Sequence, residues 1–241
     1  MFKDFSFSAL TMGMLTAFVG FVSSFAVIIQ GLQAMGANSD QVASALLALS
    51  LALGILAVSF SAALKMPISI AWSTPGAALL SGIGMIEGGF PAAVGAFVIC
   101  GGLIMLSGLF QPLGRAIRMI PGPLANAMLA GILLGLCLAP VKAVAFDPML
   151  GLPIVLTWAV VVSRWRLLAV PASLAAMMLV LIFGVDLPAD TLSQIGAAIH
   201  PQFVFVEPVF TWHGAVSVAV PLFIVTMASQ NIPGIAILKV N

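Results

Sequence analysis

The sequence predicts an all-α polytopic membrane protein whose third span is broken. Three observations carry that expectation: the apolar composition, the partition of the few charges, and one stretch in which prolines and hydroxyls interrupt a run of apolar residues. Of 241 residues, 62% are hydrophobic and 6% charged, and the mean hydropathy is +1.25. A soluble domain carries about a quarter charged residues. The formal net charge of +1 leaves no basic surface for a nucleic acid.

A helix crossing a hydrocarbon core of about 30 Å needs roughly 20 apolar residues. By that measure eight spans are expected, near 9–35, 42–63, 67–84, 90–111, 122–140, 149–163, 167–184 and 213–236. The N-terminus "MFKDFSFSAL" lacks a basic region followed by a short apolar core and a cleavage site, so the first run reads as a retained span. Glu87-Gly88-Gly89 reads as a tight outer loop between spans 3 and 4. Stretches such as "GGLIMLSG" and "AGILLGLCLA" supply small residues for close helix packing. The one long polar segment, between spans 7 and 8, has room for an interfacial helix near Leu192–Ile199 with extended pieces after it. Cys100 and Cys137 lie in apolar runs and read as small hydrophobes.

With a cytoplasmic N-terminus, Lys3, Lys65, Arg115, Arg118, Arg164, Arg166 and Lys239 fall inside and only Lys142 outside. That is the positive-inside pattern of an inner (plasma) membrane protein surrounded by lipid. The acidic residues divide the other way, with Asp4 alone inside. No charge needs to sit at mid-membrane, and an added or lost span would scramble the partition.

Laying residues 19–38, "VGFVSSFAVIIQGLQAMGAN", over 222–241, "LFIVTMASQNIPGIAILKVN", aligns Val22 with Val225, Ser23 with Thr226, Ile29 with Ile232, Gly31 with Gly234 and Asn38 with Asn241. Spans 1 and 8 then begin successive repeats, and an odd repeat of seven spans inverts the second relative to the first. The expected organisation is a first seven-span repeat over 1–185, an extracytoplasmic connection over 186–212, and the first span of a second repeat over 213–241. On this reading the sequence is a fragment.

The third span, "KMPISIAWSTPGAALL", carries Pro67 and Pro75. Each proline removes a backbone donor and disfavours helix in the residue before it. Pro67 to Ser73 is therefore expected to run extended, with a helix restarting at Pro75 under a Ser73 or Thr74 cap. Non-helical backbone at this depth must be buried in protein or line a cavity. A half-helix starting there aims its N–H groups and its positive dipole end at that cavity, a place for an anion. Gly76 and Ala77 are expected to leave those N–H groups unobstructed. The competing reading is a proline kink whose hydroxyls bond back to their own helix.

Span 8 places Ser229, Gln230 and Asn231 directly before Pro233 and Gly234, as ligand contacts or as helix–helix hydrogen bonding. In span 1, Ser23, Gln30 and Gln33 share one helical face, with the same two readings open. Trp72 either stacks on an aromatic ligand or fills a gap. His200 and His213 fall in the outer loop and at a span entrance, where they read as interfacial residues. With no nucleophile and base buried together, no enzyme activity is expected, and no residue set calls for a metal or other cofactor.

"MPISIAWSTPGAALL" in span 3 followed by "TMASQNIPGIAILK" in span 8 resembles the benzoate:proton symporter family, the BenE type. The resemblance extends through "RMIPGPLANAMLAGILLG" and "GLPIVLTWAVVVSRWR". It implies a uracil-transporter-like fold of fourteen spans in two inverted repeats, in which spans 3 and 10 each bring an extended segment and a half-helix to the substrate, with span 8 beside them. Carried onto this sequence, it places Ser73, Thr74, Pro75 and Gly76 at one half-helix and Gln230 and Asn231 on span 8. It departs from related nucleobase transporters, which carry an acidic residue near Gln230; a glutamine cannot hold a proton. The expected activity is symport of an aromatic carboxylate with a proton. The substrate would rest near Thr74 to Ala77, Trp72 would enclose its ring, and spans 1, 3 and 8 would rock against spans 5 to 7. A nucleobase or inorganic-anion carrier on the same fold is the alternative. A homodimer is among the assemblies the fold allows.

Overall fold

The computed structural model describes residues 7–66, 68, 70–110, 122–184 and 203–231. Some side chains within its helices, including those of Ser23, Gln230 and Asn231, lie outside that description. The described chain is helical without strands: α1 (Phe7–Ala34), α2 (Ser39–Leu64), α3 (Thr74–Ile83), α4 (Gly89–Leu109), α5 (Gly122–Phe146), α6 (Pro148–Arg164), α7 (Ala169–Gly184) and α8 (212–231). Among the described residues four helical stretches, Leu10–Ala34, Ser39–Leu64, Gly89–Leu109 and Trp212–Ser229, are long and apolar enough to cross a membrane. Large apolar side chains such as Val58, Met105 and Phe183 are exposed on the helices, as lipid-facing residues are.

Local chemistry sets the helix ends. Asn38 and Gln41 form a reciprocal capping box at the start of α2. α2 ends on Lys65 in the left-handed conformation, φ 53° and ψ 35°. The Glu87-Gly88-Gly89 loop is tight as expected: both glycines have positive φ, and Gly89 N–H donates to the Ile86 carbonyl at 2.9 Å. α5 runs six residues past its expected end, through Pro140 and Lys142 to Phe146. In an apolar setting, leaving the helix at Pro140 would expose more backbone groups than the one donor the proline removes. Lys142 is thus in the last turns of a helix, and only Asp147 separates α5 from α6. The region expected to hold an interfacial helix, and His200 with it, lies outside the described residues.

By its packing the chain divides into two compact units, Met1–Ala26 with Gly135–Ala198 and Val27–Leu134 with Ile199–Asn241. In the first, α6 and α7 form a hairpin joined by a 3-10 turn at Arg166–Leu168. Gly151 of α6 lies against the Val144 backbone of α5. In the second, α3 and α4 pack against α8, Gly31 in the last turns of α1 meets the Ala77 backbone of α3, and the buried residues include Met35, Ala92, Ala93 and Val218. The non-helical segment 203–210 is secured to two of these helices. Val204 pairs with the Ser44 hydroxyl on α2, and Val209 N–H donates to the Pro91 carbonyl on α4 at 3.0 Å. A side chain at Gly95 would collide with the Val209 carbonyl.

α8 is wound irregularly, with π-helical turns at Ala215–Ala219 and Met227–Asn231 on either side of Val220–Thr226. Such turns widen the backbone ring and recur at functional sites.

Candidate functional site

The break in span 3 is present. The described residues between Lys65 and Ser73 are non-helical, Ser73 is extended with φ −84° and ψ 94°, and α3 restarts at Thr74 with Pro75 in its first turn. Ten residues give a helix about 15 Å long, half the thickness of a hydrocarbon core. Pro67 lies outside the described residues.

Of the two expected caps, the structure uses Ser73. Its Oγ accepts the Gly76 N–H at 3.1 Å, and its carbonyl accepts the Ala77 N–H at 2.9 Å. The two N–H groups expected to stand open are therefore already bonded, which corrects that expectation: an extended serine followed by Thr-Pro folds back over its own first turn. The group this helix end presents is the Ser73 hydroxyl, its oxygen already polarised by a backbone N–H. No acidic residue lies in the first turn of α3.

Two neighbours fix this end in place. Gly31 of α1 is buried, and a Cβ there would stand 2.5 Å from the Ala77 carbonyl oxygen, so only glycine permits this approach. On the other side a Cβ on Gly76 would stand 2.8 Å from Leu222 Cδ1 of α8. Gly76 and Ala77 are buried; Trp72, Ser73, Thr74 and Pro75 are half-buried. Among the described residues no buried side-chain nitrogen or oxygen lacks a hydrogen-bond partner.

The remaining sequence-derived candidates fare differently. Gln30 is exposed, one residue from Gly31, so the contact that α1 makes with α3 comes through its glycine and not through its amide. The side chains of Ser23, Gln230 and Asn231 lie outside the described residues. Leu222 meets Gly76, which puts Gln230 about 12 Å further along the α8 axis at the usual helical rise. Ser229 is bonded back to its own helix, Oγ donating to the Val225 carbonyl at 2.7 Å. Sequence reasoning missed Gly31 and Leu222 as neighbours of the half-helix. The pairing of Gly31 with Gly234 in the internal overlay was the one available signal.

Apolar helices with exposed large side chains, an interrupted span and a half-buried, neutrally capped half-helix end define a polytopic membrane protein. The whole chain fits one family: residues 3–241 match the model of the BenE benzoate membrane transport proteins, and the chain belongs to that family. It is 35% identical to the inner membrane protein YdcO of Escherichia coli (strain K12), over 94% of this chain and 57% of that protein. It is 28% identical to the benzoate membrane transport protein of Acinetobacter baylyi, over 99% of this chain and 59% of that protein. The chain thus spans somewhat under three-fifths of the length of these curated relatives. No solved structure matches it. The family is one of membrane transporters and not of enzymes.

Proposed function

We propose that this chain forms part of an inner-membrane carrier that takes up benzoate or a similar aromatic carboxylate together with a proton. The carrying observation is the start of α3: a half-buried helix N-terminus, with Gly76 and Ala77 buried behind it, whose cap is a hydroxyl and whose first turn contains no acid. A helix N-terminus amounts to about half a positive charge. The Ser73 hydroxyl accepts from Gly76 N–H, which strengthens it as a donor to a carboxylate oxygen. The ring of the substrate lies toward half-buried Trp72 and the apolar neighbours of Gly76. The name of the Acinetobacter baylyi relative supports benzoate as the substrate to test first.

Proton coupling has an electrostatic rationale. Bringing the benzoate anion inward against an inside-negative potential costs about 2.3 kcal/mol per 100 mV, and one accompanying proton cancels that cost. We read residues 1–185 as the first inverted repeat, with a cytoplasmic N-terminus, 186–212 as the connection and 213–241 as the opening span of the second. Alternating access is read as rocking of spans 1, 3 and 8 against spans 5 to 7. Uptake of labelled benzoate by the full-length protein in proteoliposomes is expected to rise with an inward proton gradient. Uptake indifferent to the gradient rules out the coupling, and inhibition by uracil but not by benzoate transfers the reading to a nucleobase carrier.

A further inference from the structure

We infer that Ser61, in the last turn of α2, is a positioning residue for the substrate end of α3. Its hydroxyl donates to the Ile68 carbonyl and accepts from the Ile68 N–H, each at 3.1 Å. A residue that turns both backbone groups to one side does so as in a hydrogen-bonded β pair. Here a single side-chain oxygen takes the place of the partner strand. Non-helical backbone in an apolar setting needs such satisfaction, and Ile68 lies five residues before the Ser73 cap.

The turn that brings Ile68 back to α2 passes through Lys65 in the left-handed region, a strained conformation for a non-glycine residue. The paired bonds offset that strain and secure one end of the non-helical run. The contact of Gly31 with Ala77 secures the other. The direction in which Ser73 presents its hydroxyl is therefore set from both sides, by residues that touch no substrate.

The same helix supplies a matched control. Ser44 holds Val204 in the same way, accepting its N–H at 2.9 Å and donating to its carbonyl at 3.3 Å. Segment 203–210 leads into α8 and not into the half-helix. Loss of either hydroxyl strands one N–H and one carbonyl; only the loss at Ser61 loosens the run that ends in Ser73.

The inference rests on the carboxylate reading above for its functional consequence, and its test separates the two. Benzoate affinity is measured by calorimetry on the full-length protein carrying Ser61→Ala, Ser61→Thr or Ser44→Ala. In parallel, a nitroxide is placed at Ala71→Cys on a cysteine-free background and its spectrum is recorded in each variant. Ser61→Ala is expected to weaken benzoate binding about tenfold, the net worth of two hydrogen bonds, and to sharpen the nitroxide lines. Ser61→Thr restores both readouts, and Ser44→Ala lowers thermal stability while changing neither. Unchanged affinity in Ser61→Ala, or equal weakening in Ser44→Ala, overturns the inference. If the unmutated protein does not bind benzoate, the carboxylate reading fails and the nitroxide decides: lines sharpened by Ser61→Ala alone uphold the positioning role, and unchanged lines overturn it.

Discussion

α3 and α6 both start on a proline-bearing turn, and they treat their positive ends differently. α6 begins at Asp147-Pro148, and the Asp147 carboxylate accepts from Met149 N–H at 2.9 Å and Leu150 N–H at 3.2 Å. α3 begins at Ser73-Thr74-Pro75 with a neutral hydroxyl on Gly76 N–H. Both caps are half-buried; in the first two helical positions Pro148 and Met149 are exposed and Thr74 and Pro75 half-buried, and in the third Leu150 is half-buried and Gly76 buried. The chain has thus placed its own carboxylate at the more exposed first turn, where water screens the dipole more, and none at the less exposed one, where the dipole acts at lower dielectric. On the reading proposed above, an incoming carboxylate would be taken at the second end and excluded from the first.

The comparison breaks most visibly if α3 is given the cap of α6. In Ser73→Asp, a resident carboxylate occupies the position proposed for the substrate's, and like charges held this close cost several kcal/mol. Benzoate binding should fall by at least about a hundredfold. Aspartate caps a helix as well as serine does, so the melting temperature should change little. Retained binding, measured by calorimetry, would remove α3 from the substrate's path.

Gly31→Ala comes next. Its Cβ would meet the Ala77 carbonyl oxygen at 2.5 Å, and that oxygen belongs to a helix held on its other side by Leu222. Overpacking of this kind costs about 1–3 kcal/mol, read as a lower melting temperature. Gly20→Ala, where nothing lies within 4 Å of the added Cβ, should be neutral or slightly stabilising. Equal behaviour of the two variants would mean that α1 and α3 do not meet through Gly31.

Much of this was legible in the sequence. Helix breaking by Pro67 and Pro75, capping at Ser73 or Thr74, and the span positions follow from residue types and local spacing, and the described α3 and its cap match them. The rest depends on partners distant in sequence. A serine near a helix end has no signature that it will hold Val204 at a separation of 160 residues. A glycine in a span signals close packing without naming the carbonyl it approaches. The occupied N–H groups of Gly76 and Ala77 were missed for a local reason: the serine read as their cap was not also counted as their acceptor. The extension of α5 through Pro140 shows the reverse, a strong local signal overridden because an apolar surrounding punishes open backbone more than a missing donor.

The smallest expected effect belongs to α6. Asp147→Asn keeps a good cap, since an asparagine oxygen can accept the same two N–H groups. It removes only the interaction of a full charge with the helix dipole, about 0.3–1 kcal/mol at a partly exposed position. The melting temperature should drop slightly at low salt and less at high salt, because screening weakens the lost term in the parent protein as well. Benzoate affinity should not change, since α6 is not part of the proposed substrate site. If Asp147→Asn weakened binding as far as Ser73→Asp does, the two helix ends would be doing the same job, and the contrast between an acidic and a neutral cap would no longer locate the substrate.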